Sequence, residues 1–350
     1  MMVSSRIDPA KRSVRSAWTG GRVVLGCLAA IFLVTLFGSC RKKEAATEAG
    51  SAPTTSAKTS GQSATETITP KPGPPQSAQV TLKIGTSSGL RDPHGIAVDG
   101  RGNIYIVDTG NTRIVKFDPT GRELVAFGKK GPGPGQFLKP SVVAISPQGN
   151  VVVLDSETSW IQVFAPDGKF LNRMAGPEMS LYHPAGLAVS SDGTMAIADT
   201  GGNRIVLIDS DGKLKGSPIT GVEKQPFSQP TDVYFDAQGG IHVYQTAGPK
   251  APSMLFHLTS TGQPAGKWIA ADASSTIDTP RFALASDGRV YASDPHQQQL
   301  RVYDANGAQY HLINMVGNEA APLKLVAGIA VDRQGRVYVL DARAGVVYRT

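Results

Sequence analysis

A phrase that begins at Pro93, PHGIAVDGRGNIYIVDTGNTRIVKFDPTGR, returns five more times in weaker form, and this repetition constrains the chain more than any single residue. The copies start at Pro93, Pro140, Pro184, Pro230, Pro280 and Val326, in steps of 44 to 50 residues. A period of about 45 residues with short apolar runs in each copy is the mark of a propeller blade, a small sheet that buries its faces only against its neighbours. Six copies predict an all-β ring of six blades.

The internal grammar of each copy favours hairpins over helical repeats. An apolar run (Ile96 to Val98, Val142 to Ile145, Leu187 to Val189) enters a Gly-containing turn such as DGRGN, SPQGN or DRQGR. A second run ends on Asp108, Asp155, Asp199, Asp294 or Asp341, with Gln245 in the fourth copy. A third run follows (Ile114 to Phe117, Ile161 to Phe164, Ile205 to Ile208, Leu300 to Tyr303), then another turn, DPTG, APDG, DSDG or DANG. Runs rich in Val, Ile and Tyr punctuated by Asp-Gly and Asn-Gly read as antiparallel strands. The last copy stops at Thr350 after its third run, so its outer strand is missing; the segment QVTLKIG, Gln79 to Gly85, matches the outer strand RELVAFG of the first copy. Pairing Val80 to Ile84 with Val346 to Tyr348 would close the ring and remove its open edges.

The residues Asp108, Asn111, Arg113, Ile114 and Phe117 form the pattern D-x-x-N-x-R-[IV]-x-x-F, which resembles the NHL repeat, and GKKGPGPGQF (Gly128 to Phe137) resembles the connection of bacterial six-bladed NHL propellers. The resemblance covers residues 79 to 350. The third copy keeps DTGGNRIVLI with Asn203 shifted by one, and the second, fourth, fifth and sixth copies lack the Arg. It implies a six-bladed NHL-type β-propeller. Such propellers include enzymes, sensors and scaffolds, so function must be argued from a site.

The formal charge of +7 is confined to one end. Residues 1 to 43 hold eight Lys or Arg against one Asp, and the rest of the chain holds 27 basic and 27 acidic residues. A nucleic-acid role needs a basic face, and the balanced propeller supplies none. Arg6, Lys11, Arg12, Arg15 and Arg22 precede the apolar stretch Val23 to Phe37 and the tripeptide ending at Cys40. This is the arrangement of a signal peptide over residues 1 to 40, and it resembles a bacterial lipoprotein signal, which implies lipid on Cys40. An uncleaved membrane anchor is the alternative. Both place the ring in the bacterial cell envelope, at its periplasmic or extracellular face. Residues 41 to 78, rich in Ala, Ser, Thr and Pro, read as a flexible linker reaching roughly 35 Å. The remaining Cys, Cys27, lies in the apolar stretch, so the propeller contains no thiol and no disulfide.

Blade geometry puts the start of each first strand and the end of each second strand at one mouth of the channel, where variable loops converge on a rigid frame. His94, Asp108, Asp155, Asp199, Asp294 and His296 are therefore the candidate binding residues. The repeated Asp can hold a cation such as calcium through oxygen ligands, but Asp opening a tight loop is better suited to accept local backbone N–H groups, and Arg113 and Arg204 to pair with blade carboxylates. His94, His183 and His296 stand in alternate blades and offer a zinc set. The PH dipeptide at Pro93 resembles the zinc-ligand position of peptidyl-amidoglycolate lyases, which are NHL-type propellers. His183 is offset from His94 by two positions relative to the repeat, which favours ordinary loop histidines. His242, His257 and His311 fall within strands and carry no assigned role. The segment PAGLAVSSDG (Pro184 to Gly193) resembles gluconolactonase-type propellers, whose metal-binding Asn is here Ala185. The Gly-rich loop at Gly128 lacks the helix of a phosphate site. With no complete set of acid, base and nucleophile, the sequence favours a propeller that binds an envelope protein, peptide or glycan, tethered to the membrane, with no cofactor. A metal-dependent lyase or hydrolase, amidoglycolate-lyase-like or lactonase-like, is the alternative.

Overall fold

Every repeat folds into an antiparallel sheet, because each short apolar run is bounded by turn residues that reverse the chain and return it beside itself. The computed structural model describes residues 67–73, 78–85, 87–246, 253–266, 268–270, 281–294, 297–305, 307–313, 315–316 and 321–350. Residues 1 to 40, read from the sequence as a signal peptide ending at Cys40, most of residues 41 to 78, Pro280 and His296 lie outside the described residues. The first blade comprises Pro93–Val98, Ile104–Asp108, Arg113–Phe117 and Glu123–Phe127, and the second Pro140–Ile145, Val151–Asp155, Trp160–Phe164 and Phe170–Ala175. The third has Pro184–Val189, Met195–Asp199 and Arg204–Ile208, with isolated bridges from Leu214 and Ile219 standing where an outer strand would run. The fourth is built from Pro230–Phe235, Ile241–Gln245, Met254–Leu258 and Trp268–Ala270, and the fifth from Phe282–Leu284, Val290–Asp294, Gln299–Tyr303 and Gln309–Ile313. The sixth contains Val326–Val331, Val337–Asp341 and Val346–Arg349.

Its outer strand comes from the other end of the propeller. Leu82–Ile84 pairs antiparallel with the last strand, Leu82 opposite Arg349 and Ile84 opposite Val347, as the sequence predicts. The inner strands touch in a closed cycle from the first blade through the sixth and back to the first.

Six apolar clusters fill the gaps between successive blades, one at each gap. This explains why second strands such as Ile104–Asp108 are buried along their whole length. Successive side chains point to opposite faces of a strand: Ile104 and Ile106 pack toward the sixth blade, and Tyr105 and Val107 toward the second. Both faces of each sheet are covered, so the core is a ring of interfaces around the channel.

The linker ends earlier than its composition suggests. Thr67–Ile68 adds in parallel to Trp268–Ala270, and Lys71–Pro72 adds in parallel to Gln309–Ile313, giving the fourth and fifth blades a fifth strand each. Lys71 and Gly73 donate backbone N–H groups to the carbonyls of Ala308 and Tyr310 at 2.9 and 2.6 Å. Polar composition hid this, because edge pairing is carried by the backbone and needs few apolar side chains. No helix among the described residues is long and apolar enough to cross a membrane.

Candidate functional site at the channel mouth

In five blades the residue that ends the second strand lies opposite the start of the inner strand: Pro93 pairs with Asp108, Pro140 with Asp155, Pro184 with Asp199, Pro230 with Gln245 and Val326 with Asp341. Both therefore stand at one mouth. The acids themselves do not line it: Asp108, Asp155, Asp199 and Asp341 are wholly buried and Asp294 is 2% exposed. Asp108 accepts from the Arg91 backbone N–H at 2.7 Å, from Asn111 Nδ2 at 2.8 Å and from Arg113 Nε at 2.7 Å. Asp155 accepts four backbone N–H groups, of Leu138, Lys139, Glu157 and Thr158. Asp199 takes Tyr182 N–H and Arg204 Nε, both at 2.6 Å. Asp294 is paired with Arg301 at 3.0 Å, and Asp341 holds the N–H groups of Lys324, Leu325 and Ala344. The binding assignment made from sequence for Asp108, Asp155, Asp199 and Asp294 is corrected here. A carboxylate spent on several donors in a dry site is a loop clamp with no face left for a ligand.

What these clamps hold is more informative. The N–H gripped by the blade acid, or by Gln245 Oε1 in the fourth blade, belongs to the residue two places before the repeat start: Arg91, Leu138, Tyr182, Ser228 and Lys324. The backbone is fixed while the side chain varies. Tyr182 is 61% exposed and Leu138 39%, and Arg91, Lys139 and Lys324 are exposed. The mouth thus presents aromatic, apolar and cationic groups on rigid stems. His94 lies at this end, half-buried, its Nδ1 donating to the Asp92 carbonyl at 3.0 Å. The His183 ring packs against Tyr182 in a tilted arrangement, with ring centroids 4.4 Å apart. Asn203, shifted by one from the Asn111 pattern, accepts from the Gln229 N–H of the next blade and does not reach its own Asp.

The channel below the mouth contains groups that sequence reasoning missed. Asp232 occupies the inner-strand position held by Gly95, Val142, Gly186 and Gly328 in other blades, and Arg281 the position held by His94. A charged residue inside an inner apolar run was the available signal. Gly186 makes the room, since a Cβ there would stand 2.8 Å from Asp232 Cα. Asp232 Oδ2 accepts the Phe282 N–H at 3.2 Å, and Arg281 Nη1 is 3.9 Å from Asp232 Oδ1, a loose ion pair. Burial raises the Asp232 carboxyl to about 6, against the Arg281 charge and the N–H groups of Phe282 and Val233. Arg281 also crosses to the third blade, donating to the Ala185 carbonyl at 2.8 Å, and Tyr234 reaches the Ile329 carbonyl of the sixth at 3.5 Å. Burial foremost, with Asp232 nearby, pushes the Tyr234 phenol above its ordinary range. These cross-links leave a cavity of about 200 Å³, smaller than the roughly 300–1,000 Å³ of ordinary small-molecule pockets. A ligand larger than this cavity does not fit inside the channel.

The opposite face is less closed than its tight Gly turns suggest. Depressions of about 550 and 780 Å³ lie there, the first bordered by Asp99, Arg101, Lys116 and Arg333, the second by Asp192, Lys215 and Ser260. Among the described residues, the group of metal-capable side chains in mutual ligand range is also on that face: Asp236, His242 and His257 of the fourth blade. His94 and His183 are not part of such a group.

Comparison with known proteins agrees with this architecture. The NHL repeat model matches residues 90–117 and 137–164, the first two blades. Over 125 residues, 35% of the chain, the sequence is 31% identical to the protein brain tumor of Drosophila melanogaster, of which the chain spans 12%. Among solved structures, a streptogramin B lyase superposes with a TM-score of 0.55 at 14% identity, covering 77% of this chain and 96% of that one. The hydrazine synthase of Kuenenia stuttgartiensis gives 0.54 at 12% identity, covering 75% and 96%. A Bacteroides thetaiotaomicron protein gives 0.56 at 14%, covering 78% and 74%. At these identities the likeness is one of fold.

Proposed function

We propose that this six-bladed propeller with NHL repeats is a non-catalytic binding module of the bacterial cell envelope that engages a protein, peptide or glycan through the mouth bearing Arg91, Leu138, Tyr182 and Lys324. The observation that supports this most is the division of labour in the blade: a buried acid or Gln245 fixes the backbone of a residue whose side chain is free to vary. Such loops exchange side chains without disturbing the frame. Exposed aromatic and Arg side chains are the types that dominate binding energy at interfaces, and here they are pre-ordered, which lowers the entropic cost of binding. Against catalysis, the blade acids are committed to loop N–H groups and to Arg113, Arg204 and Arg301. The basic segment, apolar stretch and Cys40 support export and lipid attachment at that cysteine, with residues 67–72 leading the tether onto the fourth and fifth blades.

The test is capture from envelope extract by the immobilised propeller beside a variant with Arg91, Tyr182 and Lys324 all changed to Ser. The variant loses capture and keeps its melting temperature, because only the backbone at these positions is clamped. Equal capture by both proteins contradicts the assignment. Fatty-acid labelling that disappears in Cys40→Ser supports the tether, and labelling that persists refutes it.

A further inference from the structure

In the first and sixth blades the Asp that opens the turn between inner and second strands has a fixed set of partners. Asp99 Oδ1 accepts the N–H groups of Arg101 and Asn103, while Oδ2 takes Asn103 Nδ2 at 2.8 Å and the Tyr105 hydroxyl at 3.3 Å. Asp332 repeats this, with Arg336 Nε at 2.6 Å and the Tyr338 hydroxyl at 3.1 Å on Oδ2. The fourth blade keeps the turn and changes the partners. Asp236 Oδ1 still accepts the N–H groups of Gln238 and Gly240. The position of Asn103 and Arg336 is Gly240, the position of Tyr105 and Tyr338 is His242, and the cross-strand partner of His242 is His257. Asp236 Oδ2 now lies 3.2 Å from His242 Nε2 and 3.1 Å from His257 Nε2, with the two rings stacked at 4.2 Å.

We propose that Asp236, His242 and His257 form a binding site for a divalent transition metal, with zinc the ion that the donor set fits. Two imidazoles and one carboxylate are a zinc donor set of the kind that leaves a fourth position open. Bonds of about 2.0–2.2 Å place tetrahedral ligand atoms about 3.3–3.5 Å apart. The two Asp–His separations fall just inside this edge, and all three ligand atoms lie within 4.8 Å of one another. Gly240 is the second, independent sign. A Cβ at this position would lie 2.4 Å from Asp236 Oδ2 and 2.8 Å from His257 Nε2, so the side chain that donates to the carboxylate in the first and sixth blades is absent where the two imidazole nitrogens approach it. With His257 32% exposed, the ion has an entry path and water has access to the open position. Bound there, it ties the first turn of the fourth blade to its third strand.

The experiment is titration of the metal-free full chain with zinc chloride against a chromophoric chelator, repeated with cobalt(II), for wild type, His257→Gln, Gly240→Asn, His94→Ala and His183→Ala. Wild type takes up one zinc per chain and gives the visible absorption of tetrahedral cobalt. His257→Gln and Gly240→Asn lose more than the roughly 10–100-fold in affinity that a lost supporting partner costs, and the cobalt spectrum with it. His94→Ala and His183→Ala bind as wild type. Circular dichroism of the metal-free proteins checks folding, and Gly240→Asn, which restores the residue type of the first blade, carries the test should His257→Gln fold poorly. No zinc uptake, uptake unchanged in both fourth-blade variants, or loss in His94→Ala instead would each overturn the proposal.

Discussion

The first and fourth blades share a backbone plan and the backbone N–H contacts that fix its loops, and differ in the side chains that make and surround those contacts. In the first, Asp108 holds Arg91, Asn111 and Arg113, and Asp99 holds Asn103 and Tyr105. In the fourth, neutral Gln245 replaces the clamp acid, Asp232 enters the channel wall, and His242 and His257 replace the Tyr and its cross-strand partner Lys116. Their apolar faces are nonetheless equivalent, each packed between two neighbours. The lesson is that burial makes the blade, so polar positions are free to take on other chemistry where the repeat lapses.

The largest effect is expected from the clamp. Asp108→Ala removes a wholly buried carboxylate that accepts from Arg113, Asn111 and the Arg91 N–H, and should cost about 2–3 kcal/mol in denaturant unfolding. Gln245→Ala removes a neutral acceptor and should cost about 1 kcal/mol. Equal losses would mean that the charged clamp adds nothing to the first blade.

A smaller effect separates the channel walls by pH. Asp232 is raised to about 6 by burial, against Arg281 and the N–H groups of Phe282 and Val233, from an ordinary value of 3.8. Between these values the folded chain holds a proton that the unfolded chain has released. The stabilisation is full below 3.8 and is lost as pH rises through 6. At about 1.4 kcal/mol per unit this amounts to about 2–3 kcal/mol. His242, pushed down to about 4 by burial and by His257, acts with the opposite sign and is common to wild type and variant. Relative to Asp232→Asn, wild type should therefore lose about 2 kcal/mol between about pH 4 and pH 7. A flat difference would show that Asp232 is not dry.

Much of the molecule was legible in sequence because burial repeats. The period, the second strands ending on Asp and the closing strand Leu82–Ile84 all follow from apolar spacing and from edges that need covering. The role of the blade Asp as a loop clamp was also readable, since an acid recurring with the repeat serves the repeat. The site was less so. Asp232 and Arg281 come from different blades and meet across a boundary that spacing does not reveal. His242 and His257 sit in strands where a lone His reads as packing, and only their register places both on Asp236. Backbone edge pairing by Thr67–Ile68 and Lys71–Pro72 leaves no compositional trace.

The claim that new chemistry sits where the repeat lapses is tested most directly by hydrogen exchange of the metal-free protein with and without stoichiometric zinc, read blade by blade. Zinc should slow exchange in the turn Asp236 to Gly240 and in the strands Ile241–Gln245 and Met254–Leu258, and leave the matching segments Asp99 to Asn103, Ile104–Asp108 and Arg113–Phe117 unchanged. Slowing in the first blade, at the mouth around His94 and His183, or in neither blade would contradict it.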